Sequence, residues 1–374
     1  MPASPKTAEP QAPRKVRSLI GLMSEHQELA IRLAEHPDLL VIESDPLSGA
    51  SILLAHAPED IDRPTVLVDA RVTGSALDLA MAIATAGVTR LAPQAASWWN
   101  GAGTFDVEGL RLSRTLSRSG IDLDELRLGS GAGVEQLRHA LELVAELSKG
   151  AGLLAIDHLD DLLERLSAQA ARTLLGVLRA EHQRADSLQQ LLVGRVDGRL
   201  ASALRHPEQP LYRAGDILQL RRPRPQRFVD DLAATRREWT DRLFALVGAA
   251  AELANGAPAY VWRTVDAAAA SGDRDALAGW LELRESTEPS TVQQFRLLAS
   301  VHRAAPTVVC AIANGIGPYE LPLNPKSVND ALTRMRARGQ VFSPEKQRWA
   351  ISDPLLAAWA RENAPVWVRR RAQR

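Results

Sequence analysis

The stretch that most constrains this chain is "LLVIESDPLSGASILLAHA", residues 39–57. Four apolar residues, Leu39 to Ile42, predict a strand buried on both faces. A bend from Ser44 to Ser51 follows, and then an apolar run that reads as a helix. Strand, tight bend and helix, in that order, turn backbone N–H groups toward an anion. The spacing is that of a phosphate loop, in which a glycine lies five residues before a Gly-Lys-Ser/Thr triplet. Gly49 and Ser51 hold two of the defining positions, but Ser44 stands for the first glycine and Ala50 for the lysine. The backbone cradle, with Ser48 inside it, and the metal-side hydroxyl are kept; the cation that neutralises the outer phosphates is not. Asp45 brings a negative charge into the loop, and Pro46 removes one donor.

Further apolar runs follow at 64–71, 152–163, 188–195 and 216–223, separated by helical patterns such as "SALDLAMAIATAGV" with Ser75 as its N-cap. Buried strands alternating with helices predict a parallel sheet covered on both faces. The third run, "LLAIDHLDDL", ends in Asp157, followed by His158. A carboxylate at a strand tip beside Ser51 suits a magnesium ion. The next position commonly holds a glutamate that polarises water, and His158 is shorter and reaches elsewhere. Its plainer reading is a surface histidine. Asp160 and Asp161 read as favourable charges at a helix start. The fourth run ends in "VGRVDGRL", where Arg195 is a candidate for sensing a terminal phosphate or for replacing the charge lost at Ala50; the plainer reading is a solvated loop arginine. Residues 95–133, including Trp98 and Trp99, read as an insertion.

"RRPRPQRF" closes this first unit. The expected organisation is a disordered leader over 1–17, a nucleotide-type domain over 18–223, a helical lid over 224–287, a winged helix-turn-helix over 288–363 and a basic tail over 364–374. In the fourth unit, Asn324 fits an N-cap, Pro325 the first helical position and Gly339 the stop, before two short strands around "SPEK".

Taken together, these features resemble the archaeal-type ATPases, close to the AAA+ and STAND groups of phosphate-loop proteins. The likeness runs through "LIGLMSEHQELAIRL" (19–33), Gly194-Arg195, Pro210-Leu211-Tyr212-Arg213, the lid turn Gly256-Ala257-Pro258 and "RWAISDPLLAAWARE", with Trp349, Asp353, Pro354, Leu355 and Trp359. It covers about residues 18–363. The resemblance implies an α/β parallel-sheet fold with helical lid and winged helix, a site for ATP or ADP with Mg held by Ser51 and Asp157, and subunit assembly in which Arg213 acts on a neighbour. In the opening phrase Leu22 replaces an arginine, and the departures at Ser44, Ala50 and His158 fall on the chemistry. They imply weak nucleotide binding or none.

A winged helix places its second helix in the major groove and its wing on backbone phosphates. Lys326, Ser327, Arg334, Arg336 and Arg338 on the candidate helix, with Lys346 and Arg348 on the wing, are the candidate DNA contacts. From residue 301 onward, 12 Lys or Arg stand against five Asp or Glu, although the whole chain is balanced at 45 of each. That local excess favours nucleic acid; a protein partner or a second copy of the chain is the competing use of such a module. One cysteine, Cys310, excludes an internal disulfide. No run approaches the roughly 18 apolar residues of a membrane span, and the Pro- and Ala-rich start lacks a signal-peptide core. The expectation is a cytoplasmic regulatory scaffold with an inactive or weak ATP site. The alternatives are a divergent ATPase that remodels DNA or a partner, and a pure protein adaptor.

Overall fold

The computed structural model describes residues 14–35, 39–61, 63–93, 133–184, 188–235, 240–270, 275–345 and 348–372. The insertion expected over 95–133 lies almost wholly outside them, Trp98 and Trp99 included, as do Lys346 and residues 1–13.

Five strands form one parallel sheet: β1 (Leu39–Ser44), β2 (Thr65–Asp69), β3 (Leu153–Asp157), β4 (Gln189–Arg195) and β5 (Gly215–Leu220), in the order β2-β3-β4-β1-β5. β1 is central. Leu40 pairs with Leu191 on one side and Asp216 on the other. The near-continuous apolar runs have a direct cause. Leu39 and Val41 of β1 pack with Val66, Val68, Leu154, Ile156 and Leu192 against the helices Ala76–Leu91, Val134–Leu147 and Ala168–His182. Leu40 and Ile42 face the other way and pack with Leu153, Ala155, Leu191 and Val193 against the helices Met23–Glu35 and Ala50–His56. With period-2 alternation and helices on both faces, both sets of central-strand positions are mostly apolar, and the buried polar exceptions, Glu43, Gln189 and Gln190, bond to Arg205, Arg63 and the Leu178 carbonyl.

The helices Pro225–Ala234, Asp241–Leu253 and Pro258–Ala270 form the second core with the first half of the helix Ala276–Val301, around Phe228, Val247, Val261 and Trp280. Ile20 from the N-terminal segment and Leu355 from the C-terminal one also enter this core, tying it to both neighbours. The C-terminal core gathers the helices Ala305–Ala313, Pro325–Ala337 and Pro354–Glu362 with the antiparallel pair β6 (Val341–Glu345) and β7 (Arg348–Ile351). Asn324 caps the helix Pro325–Ala337 through its side-chain oxygen, which accepts from the Lys326 N–H at 2.9 Å. Gly339, at φ 65°, ends it.

Three readings change. The boundary expected between 287 and 288 falls inside the continuous 26-residue helix Ala276–Val301. Pro289 lacks an N–H, yet the helix runs on through it, with Ser286 and Thr287 hydroxyls donating to the Leu283 carbonyl at 3.0 and 2.6 Å. Residues 14–17 of the expected leader belong to the helix Arg14–Leu19. The expected tail forms the helix Val366–Ala372, whose Val368 is buried in the C-terminal core. Cys310 is buried in the same core, and burial pushes its thiol up to about 11. Among the described residues, no helix is long and apolar enough to cross a membrane.

Candidate functional site

The bend after β1 opens into a cavity of about 510 Å³. Its walls come from all three cores: residues 44–52 of the loop, Asp157, His158 and Arg195 at the tips of β3 and β4, Pro258 and Tyr260 of the second core, and Arg338, Gly339, Ser352 and Asp353 of the third. This is the C-terminal edge of a parallel sheet, where strand order reverses around β1. That is the general place for a ligand in open α/β sheets.

Gly49 precedes the helix Ala50–His56 with φ 99° and ψ 16°. A Cβ there would sit 2.5 Å from Leu22 Cδ1 and 3.3 Å from Pro258 Cγ. The position therefore needs glycine for both conformation and space. Gly49→Ala is expected to cost about 1–3 kcal/mol and to displace the loop, read as a lower thermal midpoint together with altered hydrogen exchange over 44–52.

Ser51 and Asp157 meet at the tip of β3. The serine hydroxyl donates to the Asp157 carboxylate at 2.6 Å. A hydroxyl and a carboxylate in contact at a strand tip are the donor set a magnesium ion takes beside phosphate. Ser48 and Ser352 also line the cavity, each buried with no partner for its hydroxyl oxygen among the described residues. These groups fit a phosphate-bearing ligand and its metal.

The charge expected at the loop tip is missing and is not replaced by the residues proposed for it. Ala50 is only 8% exposed. Arg195 does line the cavity, but its guanidinium is held by Asp161 at 2.6 Å and by Glu164. The arginine is thus engaged by carboxylates and is neither a free stand-in for lysine nor the solvated loop arginine of the plainer reading. Arg71, also in the wall, is tied to both oxygens of Asp69, and this pairing holds the Asp69 carboxyl below its ordinary value against the opposing effect of burial. Arg213, with φ 52°, precedes β5 at the opposite end of the sheet, stacks over Tyr212 at 5.2 Å and does not line the cavity. His158 does, in a left-handed conformation (φ 54°), with Nδ1 3.2 Å from Asp157 and 3.4 Å from Asp69.

Asp160 is not a solvated helix-start charge. It is 1% exposed and accepts from the backbone N–H groups of Arg195 (2.6 Å) and Leu200 (2.8 Å). Desolvation pushes its carboxyl up. It braces the turn after β4, where a Cβ on Gly198 would lie 1.9 Å from the Asp160 oxygen.

Sequence reasoning missed Arg222. Its backbone N–H donates to Asp45 at 3.3 Å, and its guanidinium donates to the Pro46 carbonyl and, at 2.7 Å, to the Ser352 carbonyl. It also lies over the Phe342 ring at 5.1 Å. Burial lowers this guanidinium to about 10, with Asp45 and Asp353 acting the other way, so it is charged at neutral pH. Arg221 adds a contact to Asp45 at 3.1 Å. The Asp45 charge is thereby met by arginines outside the loop. A second link joins the Tyr260 hydroxyl to Asp353 at 3.2 Å; Asp353 also caps the helix Pro354–Glu362. "RR" in a proline-rich closing segment gave no local sign of either partner.

The candidate DNA contacts divide. Arg336 pairs with Asp197 of the turn after β4, its Nε at 2.8 Å, and Arg334 donates to the Val301 carbonyl at 3.3 Å. These two face the protein. Lys326 and Arg348 are exposed, Ser327 is half-buried, and Arg338 has no side-chain partner among the described residues.

No protein-family model matches this sequence, and no curated protein matches it. Solved structures do. A Walker-type ATPase of Pyrococcus abyssi superposes with a TM-score of 0.60 at 19% identity, covering 90% of this chain and 95% of that one. The ORC2 protein of Aeropyrum pernix, solved in ADPNP–ADP complexes, superposes with a TM-score of 0.51 at 16% identity, covering 98% and 96%. At such identities the likeness is one of fold.

Proposed function

We propose that this chain, built on the phosphate-loop fold of AAA+-like ATPases with a helical lid and a C-terminal winged helix, is a regulatory scaffold with a weak or silent ATP site. One observation carries the reading. The loop keeps its cradle and its Ser51–Asp157 pair, yet among the described residues the loop itself supplies no cation: Ala50 replaces the lysine, Arg195 and Arg71 are engaged by carboxylates, and the one lining arginine without a side-chain partner, Arg338, belongs to the winged-helix wall. A triphosphate brings several negative charges, which backbone dipoles alone meet poorly. In this reading, Gly49 and Ser48 hold phosphate oxygens, and Ser51 and Asp157 hold magnesium when a nucleotide is present. Magnesium would supply charge neutralisation between phosphates. His158, placed beside Asp157 and Asp69, would stand where a water-polarising carboxylate is needed and leave water unactivated.

Calorimetry and phosphate release on the full chain test this. Weak binding of ATP with magnesium and release at background level are expected; tight binding with sustained turnover would overturn the reading.

The partner contacted through the winged helix is DNA or a protein. Exposed Lys326 and the basic excess of the C-terminal region favour DNA. In this account the contact uses Lys326, Ser327, Arg348 and the wing, since Arg334 and Arg336, though exposed, bond within the protein. Lys326→Ala is expected to weaken a salt-dependent gel shift about two- to fivefold, and binding indifferent to salt would remove DNA from the account.

A further inference from the structure

Beside the phosphate-loop cavity lies a second cavity of about 850 Å³, between the turn after β4, the helix Leu159–Arg165 and the winged helix. The two share only Asp161 and Arg338. Three carboxylates line the second cavity, Asp161, Glu164 and Asp197, and each is already paired: the first two with Arg195, the third with Arg336. Four further arginines line it with no carboxylate partner among the described residues. Arg165 donates to the Thr73 carbonyl at 2.6 Å. Arg199 donates to the carbonyls of Leu163 and Leu166 at 2.6 and 3.0 Å, and Arg334 donates to that of Val301. Arg338 has no side-chain partner there.

A carbonyl orients a guanidinium but does not cancel its charge. Counting Arg195 and Arg336, which pair with those carboxylates from outside the lining, six guanidiniums stand against three lining carboxylates, and the excess persists when buried Asp160 behind Gly198 is counted as a fourth. All four unneutralised arginines are exposed and keep N–H donors free, because each guanidinium carries five. Planar forks of this kind match phosphate oxygens. The lining holds no aromatic ring on which a base would stack.

We infer that this cavity is a second anion site, taking the linked phosphates of an oligophosphate through Arg165, Arg199, Arg334 and Arg338. The phosphates belong either to a free oligophosphate or to a nucleic-acid backbone; the absent stacking surface favours the former. The site goes beyond the nucleotide reading of the phosphate loop and does not depend on it.

The full chain is titrated, without magnesium and with a chelator, with inorganic tripolyphosphate and separately with a 20-bp DNA duplex. Tripolyphosphate is expected to bind with an affinity that falls as salt rises. Arg165→Ala and Arg338→Ala are each expected to weaken it about tenfold, while Ser51→Ala, which alters only the phosphate loop, leaves it unchanged. Arg338→Ala removes no contact, so it also guards against misfolding as the cause. Duplex binding weakened by the same two variants, with no tripolyphosphate binding, would support the site and assign it to a nucleic-acid backbone. Failure of both probes to bind, less than a twofold effect of both arginine variants, or loss of binding in Ser51→Ala would overturn it.

Discussion

Ala50→Lys is expected to bind ATP with magnesium about 10- to 100-fold more tightly than the natural chain. Position 50 opens the helix after the left-handed Gly49 and lines the cavity. A lysine there starts from a backbone that already points into the site. Hydrogen bonds to a charged group contribute about 1.5–3 kcal/mol each, and each 1.4 kcal/mol is about tenfold in affinity. Hydrolysis should stay low in this variant, because residue 158 remains a histidine beside Asp157 and Asp69, with no carboxylate aimed at water. Calorimetry gives the affinity, and phosphate release on the same sample gives the turnover. An unchanged affinity would mean that something other than the missing ammonium limits binding.

The second large effect is expected at Arg222. Replacing it with alanine leaves the Pro46 and Ser352 carbonyls without this donor, removes a charge facing Asp45 and takes the guanidinium off the Phe342 ring. The cost should be about 2–4 kcal/mol, since two acceptors in a part-buried joint lose their partner together. The measurement is local: faster hydrogen exchange at 44–51 and at 350–353 in the same variant, plus new protease cleavage between the cores. Arg221→Ala is the contrast. Arg221 is exposed and touches Asp45 at 3.1 Å, so its loss should cost under about 1 kcal/mol. Arg222→Lys should recover little, because an ammonium on a flexible stem does not span two carbonyls as a planar fork does. Equal effects from Arg221 and Arg222 would contradict the joint.

Much of this was legible in residue order. The central strands β1, β3 and β4, buried on both faces, announce themselves as apolar runs, and shorter runs mark the edge strands β2 and β5, so all five could be placed, and with them the tips that bring Ser51 against Asp157. Asn324, Pro325 and Gly339 mark a helix by local chemistry alone. What stayed hidden depends on contacts distant in sequence. Arg195 reads as a free cation until Asp161 and Glu164 are folded beside it. Asp160 reads as a helix-start charge until the turn after β4 closes over it. Arg222 lies 130 residues from the carbonyl it holds. At Pro289 a local preference of about 3 kcal/mol against proline inside a helix yields to packing on both of its flanks.

That uninterrupted helix, Ala276–Val301, has a mechanical corollary. At 1.5 Å per residue it is a rod about 39 Å long, with one end in the core of Trp280 and the other in the core of Leu298. A tilt of the second core must swing the C-terminal core through the same angle, as one end of a crankshaft turns the other. On the far side of the rod, residues 221–224 leave β5 without regular structure, and Arg222 sits on that connection.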